Sequence, residues 1–257
     1  MIRFSANLGF LWADLPLDVA IRRAAAAGFA AVECHWPYDQ DLQKIRSALA
    51  DTGLPLISLN TRRGDVASGE NGLAALPGRQ AEARAAIDEA VDWAAALNAR
   101  AVHVMAGAVE HDAGDHTAAV LRDNLDYACQ RAAAHDKTIL IEPLNPADAP
   151  GYFLTSCDQA ADIIAAVAAP QLKLMFDCYH VARIEGEVTP HFDRHAHLIG
   201  HVQFAGVPHR GRPDQGDVDY AAVFSHLQQQ GYDGFLGAEY RPGEETDETL
   251  EWMPLLS

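Results

Sequence analysis

Four polar residues stand at the ends of predicted β-strands, and together they have the chemistry of a divalent-metal site. They are Glu142, Asp177, Gln203 and Glu239, each ending an apolar run and lying 26 to 36 residues from the next. One strand–helix unit of an eightfold α/β barrel takes roughly 30 residues, and the carboxyl ends of its strands meet at the active-site rim. Three carboxylates and one amide oxygen at that rim predict a site for Mg²⁺ or Mn²⁺, which prefer oxygen ligands.

Each of these residues also has a simpler interpretation. A polar residue after a strand often begins a turn or caps the following helix. Four such residues in phase, three of them acidic, favour the metal site, because neighbouring carboxylates repel one another unless a cation compensates them.

The elements that must position these residues alternate between strand and helix patterns. Most predicted strands are short apolar runs without alternation, as expected for parallel strands that are covered on both faces. We predict strands at residues 2–7, 30–34, 54–60, 101–105, 138–142, 172–177, 199–204 and 234–240. We predict helices at about 16–27, 40–51, 79–97, 115–135, 155–168, 189–197 and 219–230, with one further helical turn near the carboxyl terminus.

Eight strands with intervening helices predict an α/β protein with a single-domain (β/α)₈ TIM barrel over residues 1–257. An open doubly wound sheet is the alternative. That fold favours a GxGxxG turn after the first strand, and the segment ANLGFLW does not supply one. The loop at residues 61–78 is longer and richer in glycine than most connections, which predicts a functional role at the rim.

Composition excludes several classes of partner. The net charge of −17 argues against nucleic acid and anionic membranes as partners. No apolar run approaches the roughly 20 residues of a membrane-spanning helix, and the first residues lack the pattern of a signal peptide. The four scattered cysteines show no CxxC spacing and predict buried thiols in a reducing, cytoplasmic location.

Several longer segments resemble the hydroxypyruvate isomerases of the xylose-isomerase-like barrel superfamily, in the same order along nearly the whole chain. The segments are FSANL, NTRRGD, SGENG, LPGR, VHVMAG, LIEPLN, MFDCYH, GHVQFAGVPHRGRPDQGDVDY and GAEYRP. Two positions depart from the family pattern, since Val66 replaces a tryptophan and His209 replaces a glycine. Gln203 favours the hydroxypyruvate isomerase branch, because the sugar 3-epimerases of the superfamily usually have histidine there.

The resemblance implies an isomerase that depends on a divalent metal, Mg²⁺ or Mn²⁺, with Co²⁺ as a further option. Its metal ligands would be Glu142, Asp177, Gln203 and Glu239. Glu142 and Glu239 would also transfer protons. The expected reaction interconverts hydroxypyruvate and tartronate semialdehyde through an enediolate. The expected binding partner is a small hydroxy-oxo acid or sugar. A homo-oligomer is a further option for the protein itself.

Four other residues are candidates for substrate contacts. His180 lies three residues after Asp177, and Arg210 lies in the loop after the seventh strand, where a guanidinium could bind a substrate carboxylate. An ordinary loop histidine and an exposed loop arginine are the alternatives. Glu70 in the long loop and His103 on the fourth strand are weaker candidates.

Other functions stay open at this point. Related activities are 2-oxo-tetronate isomerisation and ketose 3-epimerisation. A catalytically silent metal-binding barrel is a different class, and the presence of both glutamates argues against it. Metal-dependent phosphoester hydrolysis would favour a set of strand ends richer in histidine.

Overall fold

The structure is a computed structural model that describes residues 2–109 and 114–256. Eight strands are present in these residues. They are β1 (Phe4–Asn7), β2 (Ala31–Glu33), β3 (Ser58–Asn60), β4 (Ala101–His103), β5 (Thr138–Ile141), β6 (Leu172–Asp177), β7 (Ile199–Phe204) and β8 (Leu236–Ala238). The predicted strands are all found, and most are shorter than the apolar runs that predicted them.

Helices follow the strands along the chain. They are α1 (Leu17–Ala26), α2 (Leu42–Thr52), α3 (Gln80–Leu97), α4 (Asp115–Ala133), α5 (Cys157–Val167), α6 (Cys178–Glu185), α7 (Val188–His195), α8 (Tyr220–Gln229) and α9 (Met253–Leu256). Short 3₁₀ turns occur at Pro37–Asp39, Val66–Ser68, Ala196–Leu198 and Thr246–Thr249.

Helix boundaries follow local chemistry. The Asp41 side chain accepts hydrogen bonds from the backbone N–H groups of Gln43 and Lys44 at the start of α2. That helix ends at Gly53, whose φ of 70° favours a residue without a Cβ atom. Ser156 caps α5 by accepting a hydrogen bond from Gln159 N.

The eight strands form one sheet in the order β2-β1-β8-β7-β6-β5-β4-β3. The strand pairs that flank β1, β4 and β8 are parallel. A parallel bridge between Val32 and Leu56 links β2, the first strand in this order, to the segment that leads into β3, the last. This is the arrangement of a (β/α)₈ barrel, and it confirms the predicted fold class. The single-domain prediction stays a prediction.

One helix was missing from the predictions. Residues after β6 were expected to form a loop until about residue 189, but Cys178–Glu185 form α6. Asp177 caps this helix, since its Oδ1 accepts a hydrogen bond from Tyr179 N at 2.9 Å. His180 therefore lies in the first turn of a helix rather than in a loop.

The first of two compact units comprises residues 2–57, 176–196 and 201–256. Its core contains a cluster of aromatic rings in which the Phe204 ring centroid lies 5.7 Å from that of Phe4 and 4.9 Å from that of Phe224. The Trp252 ring packs edge-on against Phe4 and Phe204. The carboxyl-terminal segment thus contributes to the core beneath β1 and β7, as edge-to-face aromatic packing favours.

The second unit comprises residues 58–175 and 197–200. Ala101, Leu140 and Met175 form a buried cluster from three neighbouring strands. Leu140 and Met175 each lie two positions before a strand-end carboxylate and therefore share its side of the strand. A side chain at Gly200 would collide with Leu140 and Lys173, so the glycine leaves room for this interior layer.

All four cysteines are buried, as predicted. Burial, with a smaller effect of Glu33, raises the pKa of the Cys34 thiol to about 12, so this group stays protonated at neutral pH. In the part of the chain that the structure describes, none of the helices combines the length and apolarity that crossing a bilayer requires.

Candidate active site

Asp177 ends β6 and is almost completely buried, at 1% exposure. Its Oδ1 caps α6, and its Oδ2 does not take part in that cap. The Nε2 atom of His180 lies 3.7 Å from this Oδ2. The structure therefore brings two predicted site residues together because the turn from β6 into α6 places both at the carboxyl end of the strand.

Glu239 follows β8 and is held by three side chains. Its Oε1 accepts a hydrogen bond from Asn7 Nδ2 at 2.9 Å and lies 3.0 Å from His35 Nε2. Its Oε2 accepts a hydrogen bond from Arg210 Nη2 at 2.7 Å. Asn7 itself is oriented by Gly9, whose N–H donates to Asn7 Oδ1 at 2.9 Å. This carboxylate has a fixed position and a defined set of donors.

Arg210 joins the two carboxylates of this unit. Its Nη2 lies 3.4 Å from Asp177 Oδ2 as well as 2.7 Å from Glu239 Oε2. The guanidinium carbon lies 4.9 Å from the Phe10 ring centroid and 5.1 Å from that of Tyr179, within the range of cation–π contacts. Its φ of 54° is unusual for a residue with a Cβ atom. Arg210 is thus buried and tightly constrained, not an exposed loop residue.

Burial and Arg210 set the protonation of these two acids. Burial raises the pKa of Asp177 to about 7; Arg210 opposes this shift and Glu239 adds to it. Burial also disfavours charge on Glu239, but Arg210 and His35 outweigh that effect and lower the pKa of this carboxyl to about 2. Glu239 is therefore ionised at neutral pH. Additional positive charge would stabilise the ionised form of Asp177.

Gln203 lies in β7 opposite Gly237 of β8. Its Nε2 donates a hydrogen bond to Glu33 Oε2 at 2.8 Å. Its Oε1 is buried and has no hydrogen-bond partner among the described residues. A buried acceptor without a partner is costly, so this oxygen is suited to a ligand that the protein atoms do not provide.

Glu142 and His103 come together in the second unit. Glu142 follows β5 directly, and its Oε2 lies 3.6 Å from Nδ1 of His103, the last residue of β4. Both are buried. Nearby, burial and the charge of Glu142 raise the pKa of Tyr152, whose hydroxyl accepts a hydrogen bond from Ala106 N at 2.9 Å. The pairing of His103 with Glu142 is consistent with its predicted place near the site.

Glu70 has a different environment in the loop after β3. Its Oε1 accepts a hydrogen bond from Arg79 Nη1 at 2.5 Å, and its Oε2 accepts one from the backbone N–H of Asp65 at 2.6 Å. With Arg79 and His116 it lines a cavity of about 660 Å³ in the second unit. Its carboxylate is thus bound by its own loop, and its predicted contact with substrate stays a prediction.

Sequence reasoning missed several residues of the first unit. Asn7 and Glu33 end β1 and β2, so they show the same signal that identified the other strand-end residues: a polar residue after an apolar run. His35 and Ser5 gave no such signal. Their roles depend on the pairing of β1 with β2 and β8, which sequence spacing does not reveal.

Comparison with known proteins identifies the class. The family model for the xylose isomerase-like TIM barrel matches residues 21–256. The chain belongs to this family.

Within the family, the chain is an isomerase of the hydroxypyruvate isomerase type. It is 42% identical to a 2-oxo-tetronate isomerase of Cupriavidus necator and 37% identical to the hydroxypyruvate isomerase of Escherichia coli, covering 98% of each chain in both cases. A crystal structure described as an AP endonuclease of family 2 from Brucella melitensis superposes with a TM-score of 0.95 at 36% identity, covering 99% of both chains. The resemblance and the expectation of an enzyme are confirmed.

Proposed function

We propose that this isomerase interconverts hydroxypyruvate and tartronate semialdehyde with a divalent cation held by Glu142, Asp177, Gln203 and Glu239. The observation that carries the metal site is the buried Oε1 of Gln203, which has no hydrogen-bond partner in the described chain. Gln203 lies near the carboxyl end of β7, and Asp177 ends the neighbouring β6. An amide oxygen and carboxylates are the ligands that Mg²⁺ and Mn²⁺ prefer, so these residues fit the cation.

Electrostatics of the first unit support the same assignment. Arg210 contributes one positive charge between two buried acids, yet the pKa of Asp177 stays raised. An additional cation would favour the ionised form of Asp177 and balance the remaining negative charge. When bound, it would supply Lewis-acid polarisation of the substrate's carbonyl and hydroxyl oxygens.

The side chains would carry out the proton transfers. One glutamate, Glu142 or Glu239, removes a proton from C3 of hydroxypyruvate and leaves an enediolate. The other, or the same one, delivers a proton to C2, while the C3 hydroxyl proton moves to the C2 oxygen. The product is tartronate semialdehyde, with no change in overall composition. Positioned acid–base groups of this kind contribute about 10²–10⁴-fold to such steps.

Arg210 would bind the substrate carboxylate. Its Nη2 donates to Glu239 and Asp177, and its Nε donates to the Glu239 carbonyl oxygen. A planar guanidinium fixed in this way suits bidentate binding of a substrate carboxylate. Because the protein carries a net charge of −17, an anionic substrate needs such a cation at the site. The cytoplasmic location and the homo-oligomer stay predictions.

Proton NMR in deuterated solvent tests the proposed reaction. Metal-loaded enzyme should convert hydroxypyruvate to tartronate semialdehyde and introduce deuterium at the exchanging carbon. A Glu239→Gln variant serves as the control for uncatalysed enolisation. Absence of turnover above that control would contradict the proposal.

A four-carbon 2-oxo acid is the second candidate substrate. The relative from C. necator, at 42% identity, bears the name 2-oxo-tetronate isomerase. Parallel kcat/KM measurements on hydroxypyruvate and 2-oxo-tetronate decide between them. A kcat/KM at least tenfold higher for the four-carbon acid would transfer the assignment to it.

A further inference from the structure

Glu33 is a completely buried carboxylate that belongs neither to the proposed metal ligands nor to the proposed proton transfers. It ends β2 with 0% exposure. Its Oε1 accepts a hydrogen bond from Ser5 Oγ at 2.5 Å and lies 3.0 Å from His201 Nε2. Its Oε2 accepts the hydrogen bond from Gln203 Nε2 at 2.8 Å. Both oxygens therefore accept hydrogen bonds from side chains of other strands, Ser5 on β1 and Gln203 on β7.

The hydrogen bond to Glu33 determines the orientation of the Gln203 side-chain amide. The two ends of a glutamine amide have almost the same shape but opposite hydrogen-bonding character. The Glu33 oxygen that faces the amide accepts the hydrogen bond from Gln203 Nε2, so it selects the NH₂ end. Oε1 must then point away from Glu33, and this is the buried oxygen without a hydrogen-bond partner among the described residues.

The neighbouring strand leaves space for this contact. Gly237 of β8 lies opposite Gln203 in the ladder. A Cβ atom at this position would collide with the Glu33 carboxylate and would lie 2.9 Å from Gln203 Cγ. The absence of a side chain at residue 237 therefore allows Glu33 and Gln203 to meet across the interior of the first unit.

We infer that Glu33 is a positioning residue that orients the Gln203 amide so that its oxygen is presented to the divalent cation. The hydrogen bond from Ser5 Oγ holds Glu33 in place for this role. The inference rests on the proposed metal site, and it assigns a function to a residue that does not itself bind the cation. Partners that orient metal ligands usually affect affinity by about 10- to 100-fold.

Mn²⁺ titration followed by electron paramagnetic resonance tests this inference on the full chain. The variants are Glu33→Gln, Gln203→Ala and the double variant, with Glu89→Gln as a control that removes a surface carboxylate paired with Arg62. The Glu33→Gln side chain keeps its size but can donate as well as accept, so it no longer selects one amide orientation. We expect Mn²⁺ affinity to fall about 10- to 100-fold in Glu33→Gln and to stay at the wild-type value in Glu89→Gln.

The double variant separates positioning from general structural damage. If Glu33 acts through Gln203, the double variant should bind Mn²⁺ no more weakly than Gln203→Ala alone. Wild-type affinity in Glu33→Gln alongside a loss in Gln203→Ala, or fully additive losses, would overturn the inference while leaving the proposed function intact. Absence of Mn²⁺ binding by the wild-type protein would remove the proposed metal site itself.

A second variant serves if Glu33→Gln does not fold, as judged by circular dichroism. Glu33→Asp keeps the charge but withdraws the carboxylate by one methylene from Gln203 Nε2. Reduced Mn²⁺ affinity in folded Glu33→Asp supports the inference, and wild-type affinity overturns it.

Discussion

Carboxylate–arginine contacts occur in two very different settings in this protein. At the carboxyl ends of β6 and β8, Arg210 pairs with Asp177 and Glu239, and all three are buried. Where the loop after β3 meets α3, Arg79 pairs with Glu70 and Glu82, and these side chains are 33%, 19% and 58% exposed, respectively. Solvent therefore reaches the Arg79 cluster much more than the Arg210 cluster, in which no side chain is more than 10% exposed.

The difference shows which influence on the pKa of the acids dominates in each cluster. In the loop, the hydrogen bond from Arg79 is the largest influence on Glu70 and lowers the pKa of that acid. At the barrel rim, burial is the largest influence and drives the pKa of Asp177 upward despite the nearby guanidinium. Water screens the charges of the Arg79 cluster, so this cluster mainly organises its loop. The buried charges around Arg210 are screened less and can act on a cation and a substrate.

The largest expected effect of a substitution comes from the glutamates at the rim. Glu142→Gln and Glu239→Gln should each lower kcat by at least about 10²-fold, the low end of acid–base contributions. Steady-state kinetics measures this effect, with circular dichroism as the check on folding. A normal turnover rate in either folded variant would remove that residue from proton transfer and weaken the contrast between the two regions.

Replacing Arg210 should have the next largest effect. Losing a hydrogen bond to a charged group costs about 1.5–3 kcal/mol, which corresponds to roughly 10- to 150-fold in kcat/KM at about 1.36 kcal/mol per decade. Arg210→Ala should lower kcat/KM for hydroxypyruvate by this factor and affect an uncharged hydroxy-ketone of the same length much less.

Arg212 provides the matched control in the same loop. It pairs with Asp214 and Glu251 rather than with the rim acids, so Arg212→Ala should leave both activities nearly unchanged. Equal losses on the charged and uncharged substrates in Arg210→Ala would show that Arg210 supports the carboxylates and does not bind the substrate carboxylate.

The fold was predictable because its signals are local. Short apolar runs that alternate with helix patterns identified all eight strands, and local capping explains helix boundaries such as Gly53 and Ser156. Helix α6 was missed because it has only eight residues and begins directly at a strand-end acid. Its sequence pattern therefore predicts a loop that continues after β6.

The environment of the site was less predictable, because it depends on contacts between distant segments. Asn7 reaches Glu239 across 232 positions, and Gln203 reaches Glu33 across 170. No spacing rule connects such pairs before the order of strands is known. The same limit explains why the sequence did not predict that Arg210 pairs with two of the proposed ligands.

The smallest expected effect belongs to the exposed cluster. The lowered pKa of Glu70 means that its ionised form stabilises the fold at pH values above its ordinary 4.5 and that this contribution is lost as the pH falls below it. Glu70→Gln should therefore lower the free energy of unfolding at neutral pH by about 0.2–1 kcal/mol, the usual range for exposed pairs.

Denaturant unfolding at several pH values measures this effect. The difference between wild type and Glu70→Gln should shrink as the pH falls below about 4.5, where the wild-type carboxylate becomes protonated. kcat should change little. A loss of kcat comparable to that of Glu239→Gln would instead place Glu70 in the catalytic machinery and end the distinction between the two clusters.

Removal of metal tests the central claim most directly. Enzyme treated exhaustively with a chelator and then freed of it should lose hydroxypyruvate isomerisation, because the acids and the Gln203 oxygen would then have no cation to polarise the substrate. Addition of Mg²⁺, Mn²⁺ or Co²⁺ should restore turnover to the same protein sample. Full activity in verified metal-free enzyme would contradict the account.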